Sequence, residues 1–389
     1  MKLILISDSF KPEPNAAGVL MYDLNSSFAE NGYETVLATS VPLDVAPYLS
    51  SNTTLIQSKN CRLRSNRYFL RLISEIMASL IIGIKIRISP KTKNIDNIII
   101  YSPSIFWIIT LLCFKKKRHR VILVLRDLFP LWLLAIKLLS ANSLRYRFLN
   151  YFASMLYRNS NYIMVQSRYD RTTLLANYDV EKNKVQILEN WMDDKCVPDF
   201  CKADKYIQSN MINLIYLGNF GKAQNSKFAM QVIKRLVQLS DRVIVNLVGL
   251  KTHDSQAAST FFKDEIDACR INLIQRCSHE EAIGIAIKSD FGLISLANEV
   301  DRGNMPGKFI TYTMAGLPTL ALCSRNTTIA KRIIKYSLGV VIDEIDETAA
   351  AQNILESLTS EFNRLEIKKY FKSHHDVCSA FKTISNLCG

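Results

Sequence analysis

The 389-residue chain has no CxxC pair and no Cys/His cluster at metal-ligand spacing. It also lacks both glycine loops that mark dinucleotide and P-loop sites, GxGxxG and GxxxxGK[ST]. Its nine cysteines are scattered and odd in number, and the opening MKLILISDSF carries only a short apolar run before Asp8. That opening reads as a first β-strand and not as a secretion signal, so reduced, cytosolic thiols are expected. Glycine and proline are scarce, at 13 and 10 residues, beside 48% hydrophobic and 22% charged residues. This composition excludes a disordered or low-complexity chain. Clean apolar runs of about 20 residues are missing as well, which argues against a transmembrane helix. Acidic residues are the last scarcity: between Lys59 and Arg158 stand 19 basic residues against Glu75, Asp96 and Asp127 alone.

Charge is therefore the informative total. The chain carries +14, of which residues 1–195 hold +11 and the remainder +3. Such a field attracts anionic lipid, nucleic acid or phosphorylated substrates. Two apolar stretches lie inside it, YFLRLISEIMASLIIGIKIRI (68–88) and LFPLWLLAIKLL (128–139). Each reads either as a buried core helix with a solvated basic rim or as an amphipathic helix lying on a bilayer. The charge bias favours contact with a membrane surface.

Short β-branched runs alternate with helical patterns from end to end. The first half has them at 2–7, 34–39, 97–102, 120–126, 162–167 and 185–190. The second half has them at 211–218, 242–249, 271–276, 291–297, 318–323 and 339–343. Continuous apolar strands separated by helices predict parallel sheets covered on both faces. Two such sets, in a chain too long for one typical core, predict two doubly wound α/β domains. The polar, aperiodic stretch 193–206 marks the boundary. Domains are expected over 1–195 and 205–372, with a helix at 373–389 packing back on the first. Ligands of doubly wound sheets bind beyond the carboxyl ends of the strands, which puts the expected site in a cleft between facing domains.

Four strand-to-helix junctions then matter. The first, SDSFKPEPNAAGVL, reads as a plain loop or as a close approach of Gly18 and a helix N-terminus to an anion. In VLRDLFP, Arg126 and Asp127 end a strand; Asp127 is an acid, base or charge stabiliser, or the N-cap of a helix near Pro130. In YLGNFGKAQ, Gly218 and Gly221 bracket a turn followed by Lys222, a phosphate cradle or a glycine turn with a solvated lysine. The fourth is NMPGKFITYTMAGLPTL (304–320), where Pro306, Gly307 and Lys308 open a short helix ending at Ala315–Gly316. Main-chain N–H groups, a dipole of roughly half a positive charge and the Lys308 ammonium together suit a diphosphate.

In order and spacing these junctions resemble the retaining glycosyltransferases of family 4, which have two facing Rossmann-like domains, the GT-B fold. The likeness spans nearly the whole chain, through GYETVLAT, YSPSIFW, RDLFP, ILENWMD, LGNFGKAQ and MPGKFITYTMAGLPTL. Within that family the chain is most similar to bacterial N-acetylfucosamine transferase-like enzymes that build O-antigen or capsule repeats. The resemblance implies a nucleotide-sugar donor, UDP by preference, bound by the C-terminal domain with no cofactor and no divalent metal. It implies a diphosphate held by Gly18, Lys222, Gly307 and Lys308. Glu299 is assigned to the first glutamate of the family's two-glutamate motif, which addresses the donor sugar. Asn190 sits where the family has an asparagine turn, although this chain reads ENW. Position 311 departs from the pattern: it is Thr311 where the second glutamate holds the ribose, so bidentate acceptance of the ribose hydroxyls is lost there. Asp127 stands in place of a common N-domain histidine and is expected to contact the reacting hydroxyl or the donor sugar.

The implied reaction moves a sugar, with retention, to a saccharide on a polyprenyl diphosphate in the cytoplasmic leaflet. A peripheral position on the inner face of the cytoplasmic membrane follows, through the basic N-terminal half. Three rival readings compete. A sugar-nucleotide 2-epimerase of the same architecture would turn over donor alone. A nucleic-acid-binding protein accounts for the charge, but the basic residues cluster with Leu and Ile and no aromatic-lined RNA module is present. A non-catalytic binding module has Thr311 as its only support.

Overall fold

A computed structural model describes residues 1–13, 16–59, 68–102, 104–135, 137–195, 198–221, 224–275, 277–297 and 305–389. They form two units, Met1–Met192 with Val377–Gly389, and Asp193–Asp376. The first is built on strands β1 (Lys2–Ser7), β2 (Glu34–Thr39), β3 (Thr53–Gln57), β4 (Asn97–Tyr101), β5 (Arg120–Leu125), β6 (Tyr162–Val165) and β7 (Val185–Ile187), in the order β3-β2-β1-β4-β5-β6-β7. The second is built on β8 (Ile212–Leu217), β9 (Val243–Val248), β10 (Ile271–Ile274), β11 (Phe291–Ser295), β12 (Thr319–Leu322) and β13 (Gly339–Ile342), in the order β10-β9-β8-β11-β12-β13. The pairings are parallel throughout.

Both orders place a switch point at the centre of the sheet, between β1 and β4 and between β8 and β11. The two doubly wound sheets expected from the apolar runs are thus present, and every one of those twelve runs is a strand. The physical reason is burial on both faces. Ile4 and Ile6 of β1 point into a core shared with the helices Tyr68–Ile88, Trp107–Phe114 and Leu144–Arg158. Leu3 and Leu5 point the other way, against the helices Ala16–Glu30 and Val377–Cys388. A sheet covered twice has no polar face, so its strands read as unbroken Ile, Leu and Val.

Three elements depart from the sequence expectations or extend them. Strand β3 was not expected, because Thr53, Thr54 and Gln57 break its apolar run. It is an edge strand bound only to β2, and its Thr53 hydroxyl meets that of Thr35 at 2.7 Å. The stretch 128–139 is not one apolar helix. Its helix is the single turn and a half Leu131–Ala135, and Lys137 follows in the left-handed region at φ 57°. The N–H groups of Leu138 and Leu139 turn back to the Leu133 carbonyl, closing the turn. The chain's last helix, Val377–Cys388, belongs to the first unit. Val377, Ala380, Ile384 and Cys388 enter its core, Phe381 packs edge-on against Phe28 at 5.0 Å, and Arg120 Nη1 donates to the Leu387 carbonyl at 2.8 Å.

Candidate functional site

In the second domain the site is organised by the switch point. Strands β8 and β11 pair only at Leu214–Phe291 and Ile215–Gly292. Past that register the Tyr312 hydroxyl occupies the gap. It accepts the Leu217 N–H at 3.0 Å and lies 3.0 Å from the Ile215 carbonyl and 3.2 Å from the Leu293 carbonyl, donating its proton there. Tyr312 is fully buried, and burial pushes its phenol well above the ordinary value, so it stays neutral. The helix Gly307–Ala315 is thereby pinned to both central strands one turn after its mouth.

Gly292 is what admits that ring: a Cβ at this position would stand 2.4 Å from Tyr312 Cδ2. Overpacking of this kind costs about 1–3 kcal/mol or more. Gly292→Ala is expected to lose at least that much in urea denaturation, and Tyr312→Phe about 1–3 kcal/mol through the orphaned Leu217 N–H. Unfolding midpoints within experimental error of wild type would show that the pin contributes nothing.

The mouth of the helix is open. Pro306 caps it in an extended conformation (φ −60°, ψ 140°) with no side-chain cap. The carbonyl of Pro306 takes the N–H groups of Phe309 and Ile310. Gly307 is exposed, and among the described residues a Cβ there would meet nothing within 4 Å. The positive end of the helix favours an anion at this position.

Lys308 completes this corner. The residue is partly exposed along its stem, but its Nζ is buried without a hydrogen-bond partner among the described residues and lies 3.7 Å above the centre of the Tyr216 ring. Loss of solvation is the cause that pulls its pKa down to about 7. Among the described residues the ammonium meets an aromatic face and no acceptor, which an anion would supply.

Other predicted residues of this domain stand differently. Gly218 turns the chain after β8 at φ 84°, and its N–H is spent on the Val248 carbonyl at 2.8 Å. The Gly221 N–H is taken by Gln224 Oε1 at 3.0 Å. Both glycine N–H groups are thus engaged within the protein in this conformation. Thr311 is 7% exposed and its hydroxyl turns back to the Gly307 carbonyl at 3.3 Å, so it offers no carboxylate-like grip on a diol. Lys222 and Glu299 lie outside the described residues.

In the first domain Gly18 is buried in the first turn of Ala16–Glu30. Lys11, in the loop before it, places its ammonium 3.9 Å above the Tyr22 ring. Arg126, a cleft candidate from its place at a strand's carboxyl end, follows β5 directly and is buried at 6% exposure. Its Nη1 donates to the Leu188 carbonyl at 2.8 Å, and its carbonyl accepts from the Gln166 amide. The guanidinium lies 4.6 Å from the centre of the Trp191 ring, whose Nε1 donates to the Leu20 carbonyl at 2.9 Å. Burial lowers the Arg126 pKa to about 10 and raises that of neighbouring Tyr101 to about 12. Arg126 is thus a post that ties the loops after β5, β6 and β7 together. Asp127, the next residue, is exposed at the carboxyl edge of that fixed strand. Asn190 is half-buried beside Trp191, beyond β7.

Sequence reasoning missed Tyr312, Tyr216, Gly292 and Trp191. A tyrosine four residues after a helix-opening lysine was the one available signal, since that spacing puts both on one face.

No protein-family profile and no curated protein sequence matches the chain. Solved structures do. The chain is similar to WaaG, a glycosyltransferase involved in lipopolysaccharide biosynthesis, with TM-score 0.69 and 14% identity over 99% of each chain. It is similar to Anabaena Alr3699/HepE in complex with UDP, with TM-score 0.65 and 13% identity over 99% of each chain. It is also similar to the UDP-GlcNAc 2-epimerase of Methanocaldococcus jannaschii, with TM-score 0.63 and 11% identity over 100% of this chain and 99% of that one. Identity this low makes the likeness one of architecture: the chain has the GT-B fold, two doubly wound parallel-sheet domains.

Proposed function

We propose that the protein is a retaining glycosyltransferase that moves a sugar from a nucleoside diphosphate, UDP by preference, to a saccharide on a polyprenyl diphosphate. The acceptor stands in the cytoplasmic leaflet, the setting of O-antigen, capsule or exopolysaccharide assembly, and the sugar is of the N-acetyl-L-fucosamine or related amino- or deoxy-hexose type. The observation that carries this reading is the buried Lys308 Nζ, without a hydrogen-bond partner among the described residues, at the uncapped mouth of Gly307–Ala315, on the switch point of a nucleotide-binding architecture. As the glycosidic bond breaks, negative charge grows on the β-phosphate of the leaving nucleotide. Main-chain N–H groups and the Lys308 ammonium meet it where it develops. Lys222 and Glu299 join them from the sequence, toward the diphosphate and the donor sugar. Asp127 faces the reacting hydroxyl or the sugar, and protein groups supply the charge that a divalent metal supplies elsewhere.

The likeness to HepE bound to UDP supports the donor class, and that to WaaG supports transfer. The likeness to a 2-epimerase favours one second reading, conversion of the nucleotide sugar itself. One assay separates them. The chain is given UDP-amino sugars with and without a short-chain polyprenyl-diphosphate saccharide, in the presence of EDTA. Transfer predicts UDP release only with acceptor and a product of unchanged anomeric configuration. Consumption of donor alone establishes the epimerase, and no turnover together with no UDP binding sinks both.

A further inference from the structure

The helix Tyr68–Ile88 exposes a stripe that its own domain does not use. Leu70, Ile73, Met77, Leu80, Ile84 and Ile88 are 36% to 73% exposed. At 3.6 residues per turn they fall within an arc of about 80°, opposite the buried side made by Ala78, Ile82 and Ile86. Large apolar residues scattered singly on a surface need no explanation, but a continuous row of six does.

The row does not end with that helix. Trp107–Phe114 packs directly beside it, with Thr110 Oγ1 donating to the Ser79 carbonyl at 2.7 Å and Arg87 Nη1 to the Cys113 carbonyl at 2.9 Å. Leu144–Arg158 comes next, joined through the Phe106 and Phe152 rings at 5.2 Å and Lys115 Nζ to the Asn159 carbonyl at 2.6 Å. Leu112 is 61% exposed, and Leu144, Phe148 and Tyr151 form a second stripe at i, i+4 and i+7. All three helices cover the same face of the first sheet.

Charge decides what covers this face. Lys91, Lys93, Lys116, Lys117, Arg145 and Arg147 are exposed around it. Of the acids nearby, Glu75 is held by Arg71 at 3.1 Å and Asp96 by Arg118 at 3.5 Å. A second copy of the chain would bring two basic faces together, whereas an anionic surface neutralises one. Among the described residues no helix is long and apolar enough to cross a membrane. An apolar stripe flanked by cations and too interrupted to span is the pattern of a helix lying in the lipid interface.

We propose that the outward face of Tyr68–Ile88, continued by Leu112 and the Leu144–Tyr151 stripe, is the surface on which this protein rests on an anionic bilayer. This deepens the reading of a lipid-linked acceptor and rests on it. Apolar side chains enter the headgroup layer while the flanking lysines and arginines stay among the phosphates.

Co-sedimentation of the full chain with vesicles tests the proposal. Vesicles of about one-third phosphatidylglycerol should bind it at least about tenfold more tightly than pure phosphatidylcholine. Ile73→Glu/Ile84→Glu should lose about tenfold or more of that binding, with its melting temperature and UDP affinity unchanged. A milder pair, Leu80→Ser/Ile84→Ser, gives the same reading should the first fold poorly. Equal binding to neutral and anionic vesicles overturns the proposal, as does full binding by a folded variant. A concentration-dependent dimer abolished by the same variants assigns the face to a second copy instead. Vesicle binding without UDP binding leaves the docking face standing and removes the glycosyltransferase reading.

Discussion

Replacing Lys308 by methionine is expected to lower kcat/KM for the nucleotide sugar by about 10²–10³-fold, with the fold and the melting temperature retained or improved. Methionine keeps the unbranched stem that packs on Tyr216 and removes only the charge. In the ligand-free protein that charge is costly, because its Nζ is buried with no acceptor among the described residues. Removing it costs the free protein nothing and costs the complex its cation against the leaving diphosphate. A variant with wild-type kcat/KM would take Lys308 out of the site.

The same residue predicts a pH dependence whose sign follows from the direction of its shift. Its pKa in the free protein is lowered to about 7 from the ordinary 10.5. The unfolded chain therefore binds more protons than the folded one between those values, and Lys308 contributes stability that rises with pH across that window. Ligand binding runs the other way. A diphosphate beside Nζ restores the ammonium, so affinity for a nucleotide sugar is full below about pH 7 and falls about tenfold per unit above it. Binding at pH 8 takes up close to one proton. Calorimetry with UDP-glucose in two buffers of different ionisation enthalpy reads this directly, since a sugar diester has no proton of its own near neutrality. Proton uptake that persists in Lys308→Met would assign it to another group.

Asp127→Asn is expected to cut kcat by about 10²–10⁴-fold while leaving UDP affinity unchanged. The substitution is isosteric, and the position is fixed by its neighbour: Arg126 is anchored to the Leu188 carbonyl and the Trp191 ring, so the edge of β5 does not drift when Asp127 loses its charge. Because the carboxylate is exposed, the loss reports on substrate and not on a broken core. A variant that loses UDP affinity in step with kcat/KM would place Asp127 in donor binding, and an unaltered kcat would remove it from the chemistry.

Much of the fold was legible because doubly wound sheets write themselves plainly. Strands covered on both faces are unbroken apolar runs, and β1 through β13 were readable as such, with β3 the exception. That edge strand is held from one side only, so Thr53, Thr54 and Gln57 suffice and no apolar pattern announces it. The helix Gly307–Ala315 was legible at both ends, from Pro306 before it to Gly316 in the left-handed region after it. The stretch 128–139 misled because its apolar residues serve a short turn and a loop.

Within the candidate site, local chemistry and tertiary placement divide cleanly. That Gly307 and Lys308 open a helix after a buried strand is a property of consecutive residues, as is the carboxylate at the end of β5. What Lys308 faces is not. Its desolvated Nζ depends on Tyr216, 92 positions earlier, and the pin at the switch point needs Tyr312 to meet Gly292, Ile215 and Leu217. Arg126 likewise looked available until Leu188 and Trp191 enclosed it. The amino-acid sequence by itself determined the strands, the helix mouths and the basic first half, because these depend on hydrophobic period, caps and charge within a short stretch. The pKa of a lysine, the burial of an arginine and the exposure of a stripe were decided only in three dimensions, because solvation depends on which distant side chains exclude water.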